Sequence, residues 1–325
     1  QEHDVDPIIG CEFYLTPSGI QDQSDSTRYH QVLLAKNQTG YENLMQLSSL
    51  SFTEGFYYKP RIDRDLLREY HDGLIATTCC LQGEVPQAIL NKGEERAREL
   101  FETYLEIFGD DYYIELQDHD INDQHTVNEV LLQWAKEYDV EVVATNDVHY
   151  VDQQDHEAQD ILLCLQTGAD YKDPNRMRFS NDEFYLKGEE EMTAALTGIP
   201  EEFQRKALVN TNKIADKCNF ELPMGDLLMP HYPIPDGFED MDAYLRHVTF
   251  ERAKKRYGDP LPQNVVDRLN HELGIIADEG YSGYFLIVQD FTDAARELDV
   301  RVGPGRGSAA GSCVSYCLGI TNVDP

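Results

Sequence analysis

The segment ATNDVHY, residues 144–150, closes an apolar run and sets Asp147 and His149 two positions apart. In a strand, side chains at i and i+2 leave the same face, and in parallel α/β folds sites form at the carboxyl ends of strands. A carboxylate and an imidazole placed there offer lone pairs to a divalent cation. The alternative is a hydrogen-bonded Asp–His pair that merely caps the strand. Glu12 lies inside the apolar run IIGCEFYL, where an unpaired carboxylate would be costly. Cys80 directly follows GLIATT and Cys79, and small buried hydrophobe is the commoner fate of a cysteine. His30 stands just before the run QVLLA, the wrong end of a strand for the carboxyl-end rule, so spacing alone assigns it a structural place. Glu115 and Gln117 repeat the i, i+2 geometry, with bonding to neighbouring backbone as the plain alternative.

A second candidate is RVGPGRGSAAGS, residues 301–312, with glycines at 303, 305, 307 and 311 around Arg306 and Ser308. It is not a Walker A loop, because no Gly-Lys-Ser/Thr follows at the required spacing. Residues 305–310 satisfy the loose dinucleotide pattern G-x-G-x-x-A, and Asp324 follows. The preceding extended segment is too short, however, and no second strand fits before the aspartate. What remains is a glycine turn opening the helix GSAAGSCVSYCLG, whose N–H groups, with Arg306 and the Ser308 hydroxyl, suit an anion. A tight turn followed by a small-residue helix for close packing fits equally well.

Positioning these residues requires an α/β scaffold. Strand-like runs at residues 8–15, 31–35, 73–78, 112–116 and 140–145 alternate with helical patterns at YENLMQLSSL, EVPQAILNK, ERARELFETYLEIFG and HTVNEVLLQWAKEY. The alternation predicts parallel pairing through helical crossovers, in a barrel or a doubly wound sheet. Near residues 218–237 the period breaks in a segment rich in proline and glycine, which places a domain boundary there. Helices are expected at about 240–256, at about 263–279 and over YFLIVQDFTDAARELD.

The composition bounds the rest. A hydrophobic fraction of 41% excludes a disordered chain, and 27 Lys+Arg against 60 Asp+Glu leave a net charge of −33. That is the reverse of a nucleic-acid footprint; its plainest source is a hydrated acidic surface suited to high salt. Stability is then expected to rise with added KCl, as screening blunts self-repulsion. Thermal melts across salt concentrations check this, and a flat or falling midpoint would argue against it. Seven cysteines without repeated C-x-x-C spacing imply reduced thiols and a cytoplasmic setting. No apolar run approaches the ~20 residues of a membrane span. The polar start without an initiator methionine reads as a piece of something larger.

Two sets of motifs carry a resemblance. GYFLIVQDF (283–291) followed by VGPGRGSAAGSCVSYCLGITNVDP (302–325) is similar to the start of the palm in the C family of bacterial replicative DNA polymerases, the DNA polymerase III alpha subunits. Upstream, PIIGCEFY, HQVLLAKNQTGYENL, YYKPRID, GLIATTCCLQGEVP, YIELQDH and ATNDVHY resemble that family's PHP (polymerase and histidinol phosphatase) domain. The resemblance runs nearly end to end and implies a PHP-type distorted (β/α) barrel lacking its first strands over residues 1–218. A linker and the mainly helical start of a polymerase-beta-like palm would follow over 219–325. It puts Glu12, His30, Cys80, Asp147 and His149 on ligand positions for metal ions such as Zn²⁺ or Mn²⁺. Gly307 and Ser308, with Arg306, would hold a nucleotide triphosphate. The parent enzyme so implied extends primer–template DNA with dNTPs using Mg²⁺, and works with a sliding clamp and a proofreading exonuclease subunit. The family's H-x-H strand does not precede Glu12, and its catalytic carboxylates are expected beyond Pro325, so the piece alone is expected not to polymerise. Two other readings are a stand-alone PHP phosphoesterase, which would act on phosphate esters or 3′ ends, and a non-catalytic scaffold that docks the exonuclease.

Overall fold

The computed structural model describes residues 5–222, 224–225 and 229–325. The chain divides into two compact units, Gln1–Leu222 and Pro223–Pro325.

The first unit is mixed α/β. Six strands, β1 (Gly10–Leu15), β2 (Tyr29–Ala35), β3 (Arg61–Ile62), β4 (Leu74–Thr77), β5 (Tyr112–Leu116) and β6 (Val142–Ala144), lie in the order β3-β1-β2-β4-β5-β6. Helices α1 (Gln38–Thr53), α2 (Arg64–Glu69), α3 (Glu84–Asn91), α4 (Glu94–Phe108), α5 (Asn122–Glu137), α6 (His156–Thr167), α7 (Glu189–Ala195) and α8 (Glu201–Lys217) fill the connections. Among the described residues the edge strands β3 and β6 do not pair with each other, so the sheet is open.

The expectation of uniformly parallel pairing is corrected at one strand. β2 pairs antiparallel with both β1 and β4, while β1–β3, β4–β5 and β5–β6 are parallel. The reason is local. Residues 16–28 carry no helix, and without a crossover helix the chain returns beside β1 in the opposite direction.

The two faces of the sheet are read from alternate residues, as the pleat requires. Leu74, Ala76, Tyr112, Ile114, Val142 and Ala144 join the main core with Phe101, Tyr104 and Trp134 of α4 and α5. Their neighbours Ile75, Tyr113 and Val143 pack instead with Ile214 of α8. Covering on both faces explains why β4 and β5 are buried at every position. Trp134 is fully buried, with Phe101 5.2 Å away between ring centroids.

The second unit is helical: α9 (Met241–Tyr257), α10 (Gln263–Asp278), α11 (Ser282–Glu297) and the short α12 (Cys313–Leu318). Its core is built from Leu245, Leu269, Leu286, Val314 and Leu318. Asp240 caps α9 by accepting the Ala243 N–H at 2.8 Å. No helix among the described residues is long and apolar enough to cross a membrane.

Candidate functional site

The reversed strand resolves the placement of His30. Because β2 runs against its neighbours, its first residues lie at the carboxyl ends of the parallel strands, where Cys80 follows β4 and Asp147 follows β6. Tyr14 is opposite His30 and Glu12 opposite Val32, so Glu12 and His30 are diagonal neighbours on one face. Their side chains meet, with Glu12 Oε1 2.8 Å from His30 Nδ1. Cys80 Sγ lies 3.6 Å from the same nitrogen. Asp147 Oδ1 and His149 Nε2 are 3.5 Å apart.

The electrostatics join the two groups. Cys80 and Glu12 push the His30 imidazole up to about 10, against the effect of burial. Hydrogen bonding to Cys79 and His30 draws the Cys80 thiol down to about 6 although burial opposes it. The pair thus draws Cys80 toward its thiolate form and His30 toward its protonated form. The Asp147 hydrogen bond raises His149, and the charges of Glu12 and Cys80 add to it. Asp147 in turn acts on Cys80.

Backbone restraints hold both loops. The His30 N–H donates to the Gln82 carbonyl at 2.9 Å, and the Gly83 N–H donates to the Cys80 carbonyl at 2.8 Å. A Cβ on Gly83 would come within 2.3 Å of the Thr78 carbonyl oxygen and 3.1 Å of the Cys79 Cβ. Gly83→Ala is therefore expected to displace the cysteine turn, costing about 1–3 kcal/mol. A lowered unfolding midpoint together with faster labelling of Cys79 and Cys80 by a thiol reagent checks it; unchanged labelling would count against it. Asp147 has φ of 44°, and the buried Asn146 beside it donates to the carbonyls of Glu183 (2.9 Å) and Tyr185 (2.7 Å). The His149 N–H donates to Phe184 O at 2.9 Å.

Glu115 is buried, and its oxygens accept from Thr77 (2.5 Å), Thr145 (2.5 Å) and Gln117 (2.8 Å), all side chains rather than the neighbouring backbone. His119 is likewise occupied: its Nδ1 contacts Gln124 at 2.8 Å, its Nε2 contacts the Asn146 carbonyl at 3.0 Å, and its ring stacks on Phe184. Sequence reasoning passed over Cys79. A Glu12 oxygen and the Sγ atoms of Cys79 and Cys80 all lie within 4.8 Å of one another. The only signal was the doublet itself. Among the described residues, the ligand-type side chains that come together as a group of three or more are Glu12, Cys79 and Cys80, while Asp147 and His149 lie against each other as a pair outside that group. Thiol, imidazole and carboxylate are donors that suit Zn²⁺, the oxygen and nitrogen donors also Mn²⁺.

In the second unit the glycine segment differs from the single helix expected. Gly307–Gly311 is a 3₁₀ turn, Ser312 is extended, and a separate α12 begins at Cys313. Its first N–H groups already have an anion. Glu272 accepts from Cys313 N (3.1 Å), Val314 N (3.0 Å) and the Ser312 hydroxyl (2.9 Å), and that hydroxyl accepts from Ser315 N. Arg306, Gly307 and Ser308 are exposed. Ser308 lines a groove of about 760 Å³ with Glu272, Ile276, Phe285 and Ser312; Arg306 and Gly307 are not part of that lining. Asp324 accepts from the Tyr257 hydroxyl at 2.5 Å.

Burial raises the Glu272 carboxyl, but the Val314 and Cys313 N–H groups, Arg268 and Ser312 outweigh it and hold it below 4.5. A carboxylate depressed by folding contributes stability above its unfolded pKa and loses it as pH falls through the folded one. Glu272→Ala is expected to cost about 1.5–3 kcal/mol at neutral pH. In urea unfolding from about pH 6 to about pH 3, the gap from the parent chain should close below its ordinary 4.5; a gap constant with pH would refute the cap.

The comparisons with known proteins follow the same two units. A family model described as PHP domain matches residues 1–119, and one described as bacterial DNA polymerase III alpha NTPase domain matches residues 243–325. Over 99% of its length the chain is 44% identical to the DNA polymerase III subunit alpha of Borreliella burgdorferi, 43% to that of Treponema pallidum and 39% to that of Thermus aquaticus. The chain belongs to the DNA polymerase III alpha-subunit family. It spans 28%, 27% and 31%, respectively, of the length of these alpha subunits. The PHP match takes in Glu12, His30, Cys79 and Cys80 but stops before Asp147 and His149; the polymerase match takes in the glycine segment.

Proposed function

We propose that this chain is the part of a replicative DNA polymerase that carries a PHP metal cluster and the nucleotide-holding edge of the palm. The observation that carries the proposal is the occurrence of both modules in one chain, in family order, within a 44% identical alignment covering 99% of it. Primer–template DNA and dNTPs are the substrates of the parent enzyme, with Mg²⁺ serving the palm; a sliding clamp and a proofreading exonuclease are its partners. Gly307 and Ser308 approach the triphosphate through bare backbone and a hydroxyl, and Arg306 adds charge.

In the PHP unit, Glu12, His30, Cys80, Asp147 and His149 would hold the metal, Zn²⁺ or Mn²⁺. A divalent cation bound there supplies Lewis-acid polarisation of a phosphate oxygen. The residues themselves supply position: Glu12 orients His30, Cys79 and His30 hydrogen-bond Cys80 and lower its thiol pKa, and Asp147 orients His149. A metal-bearing PHP unit is favoured over a bare scaffold because Glu12 lies against His30 and close to the two cysteine sulfurs, with the Asp147–His149 pair after β6.

The test is a chimaera in which this chain replaces the matching segment of the Borreliella burgdorferi alpha subunit. Primer extension well above a segment-deleted control is the expected result. A folded chimaera that binds primer–template and fails to extend it would overturn the polymerase reading.

A further inference from the structure

We propose that Cys79 supplies a second thiolate to a cation held by Glu12 and Cys80, which makes this end of the cluster a zinc-type centre rather than a manganese-type one. The inference rests on the cluster being metal-binding and adds a ligand and a metal preference to it.

Three observations lead to it. The first is distance: a Glu12 oxygen and both sulfur atoms lie within 4.8 Å of one another, close enough for one ion to touch all three with small side-chain adjustments. The second is the backbone. In an extended chain, adjacent side chains leave opposite faces, so a Cys-Cys doublet ordinarily splits its sulfurs. Cys79 has φ of 65°, in the left-handed region that glycine occupies most readily. That turn breaks the alternation and brings both sulfurs toward Glu12. It is held by the Cys79 N–H donating to Thr77 Oγ1 at 3.1 Å and by the close approach of Gly83.

The third is what surrounds the pair. On the inner side, bordered by Glu115, Gln117 and Asn128, the free space is about 10 Å³, room for roughly one water molecule. Glu115 is committed to Thr77, Thr145 and Gln117. The exposed Glu12 is the carboxylate open to an ion arriving from solvent. Two sulfurs and one carboxylate are a soft donor set, which Zn²⁺, Cd²⁺ and Co²⁺ take in preference to Mn²⁺. Cysteine binds as thiolate, so any thiol proton on the pair passes to solvent when the metal–sulfur bond forms.

The test titrates the reduced full chain with Co²⁺ and follows sulfur-to-cobalt charge-transfer absorption in the near ultraviolet. The parent chain is expected to show the intensity of two thiolates per cobalt. Cys79→Ser and Cys80→Ser should each halve it, and the double variant should abolish it. In competition, Cys79→Ser should shift the Zn²⁺ over Mn²⁺ preference toward Mn²⁺ by tenfold or more. Circular dichroism establishes that each variant is folded. The ¹¹³Cd chemical shift of the unmutated chain counts sulfur ligands without any substitution. A one-thiolate band in the parent, unchanged by Cys79→Ser, would overturn the role of Cys79 while leaving the cluster intact. Absence of any cobalt band or uptake would overturn the metal reading beneath it.

Discussion

In the chimaeric polymerase, Ser308→Ala is expected to raise the KM for dNTP by about 10- to 100-fold, the loss of one charge-assisted hydrogen bond of about 1.5–3 kcal/mol. Gly307 sharpens the test. Its φ is 59°, and no atom outside its chain neighbours lies within 4 Å of the position a Cβ would take. Valine there suffers from the backbone conformation alone, since a β-branched residue is strained at positive φ. Asparagine tolerates that conformation. A turn that merely needs the left-handed region would therefore accept Gly307→Asn with little change in kinetics. A backbone cradle that phosphate must approach closely would lose nucleotide affinity in both variants, at least tenfold. Steady-state kinetics on the two, with unfolding midpoints alongside, separate the cases. Wild-type KM in Gly307→Asn and Ser308→Ala together would show that this segment is a packing turn.

Arg61→Ala is expected to destabilise the first unit by about 3–5 kcal/mol. Arg61 is fully buried, and its guanidinium partners are backbone carbonyls. Nε donates to Gly55 at 3.0 Å, and the terminal nitrogens donate to Asp25, Ile20 and Asp22 at 3.2 Å each. The Tyr57 ring covers it at 5.1 Å. One side chain thus gathers the connection between β1 and β2, which ends where His30 begins. Truncation leaves these carbonyls without their donor and frees the loop. Lysine keeps the charge but cannot span four acceptors, so Arg61→Lys should recover only part of the loss. Chemical unfolding measures the cost, and limited proteolysis between residues 20 and 25 reads the release. Protease resistance equal to the parent in Arg61→Ala would show that the loop is held otherwise.

Much of the scaffold was legible in the sequence. The runs at 112–116 and 140–145 became β5 and β6, and the periodic stretches after residue 240 became α9, α10 and α11, within a residue or two at most ends. These segments carry their own signal: burial on both faces makes a short continuous apolar run, and burial of one stripe makes a 3.6-residue period. Asp147 and His149 were singled out as neighbours on one strand end, but β6 stops at Ala144 and Asp147 has φ of 44°, so the loop that follows the strand brings them together, not the pleat. The two-residue β3 escaped because so short a pairing leaves no period to read.

What the sequence determined by itself was local: the type of most strands and helices and the presence of a glycine-rich turn, each fixed by neighbours a few residues away. What only the tertiary structure decided was direction and juxtaposition. No local pattern states that β2 runs against the other five strands, yet that reversal carries His30 to the carboxyl end of the parallel strands beside Glu12 and Cys80. Nor does any local pattern state that Glu272, on α10, reaches the start of α12, or that Cys79 turns toward Cys80. Such contacts join residues far apart in sequence, or depend on a backbone angle imposed by packing. Their free energy exists only once the chain has closed around them, so it leaves no trace in the spacing of the residues that make them.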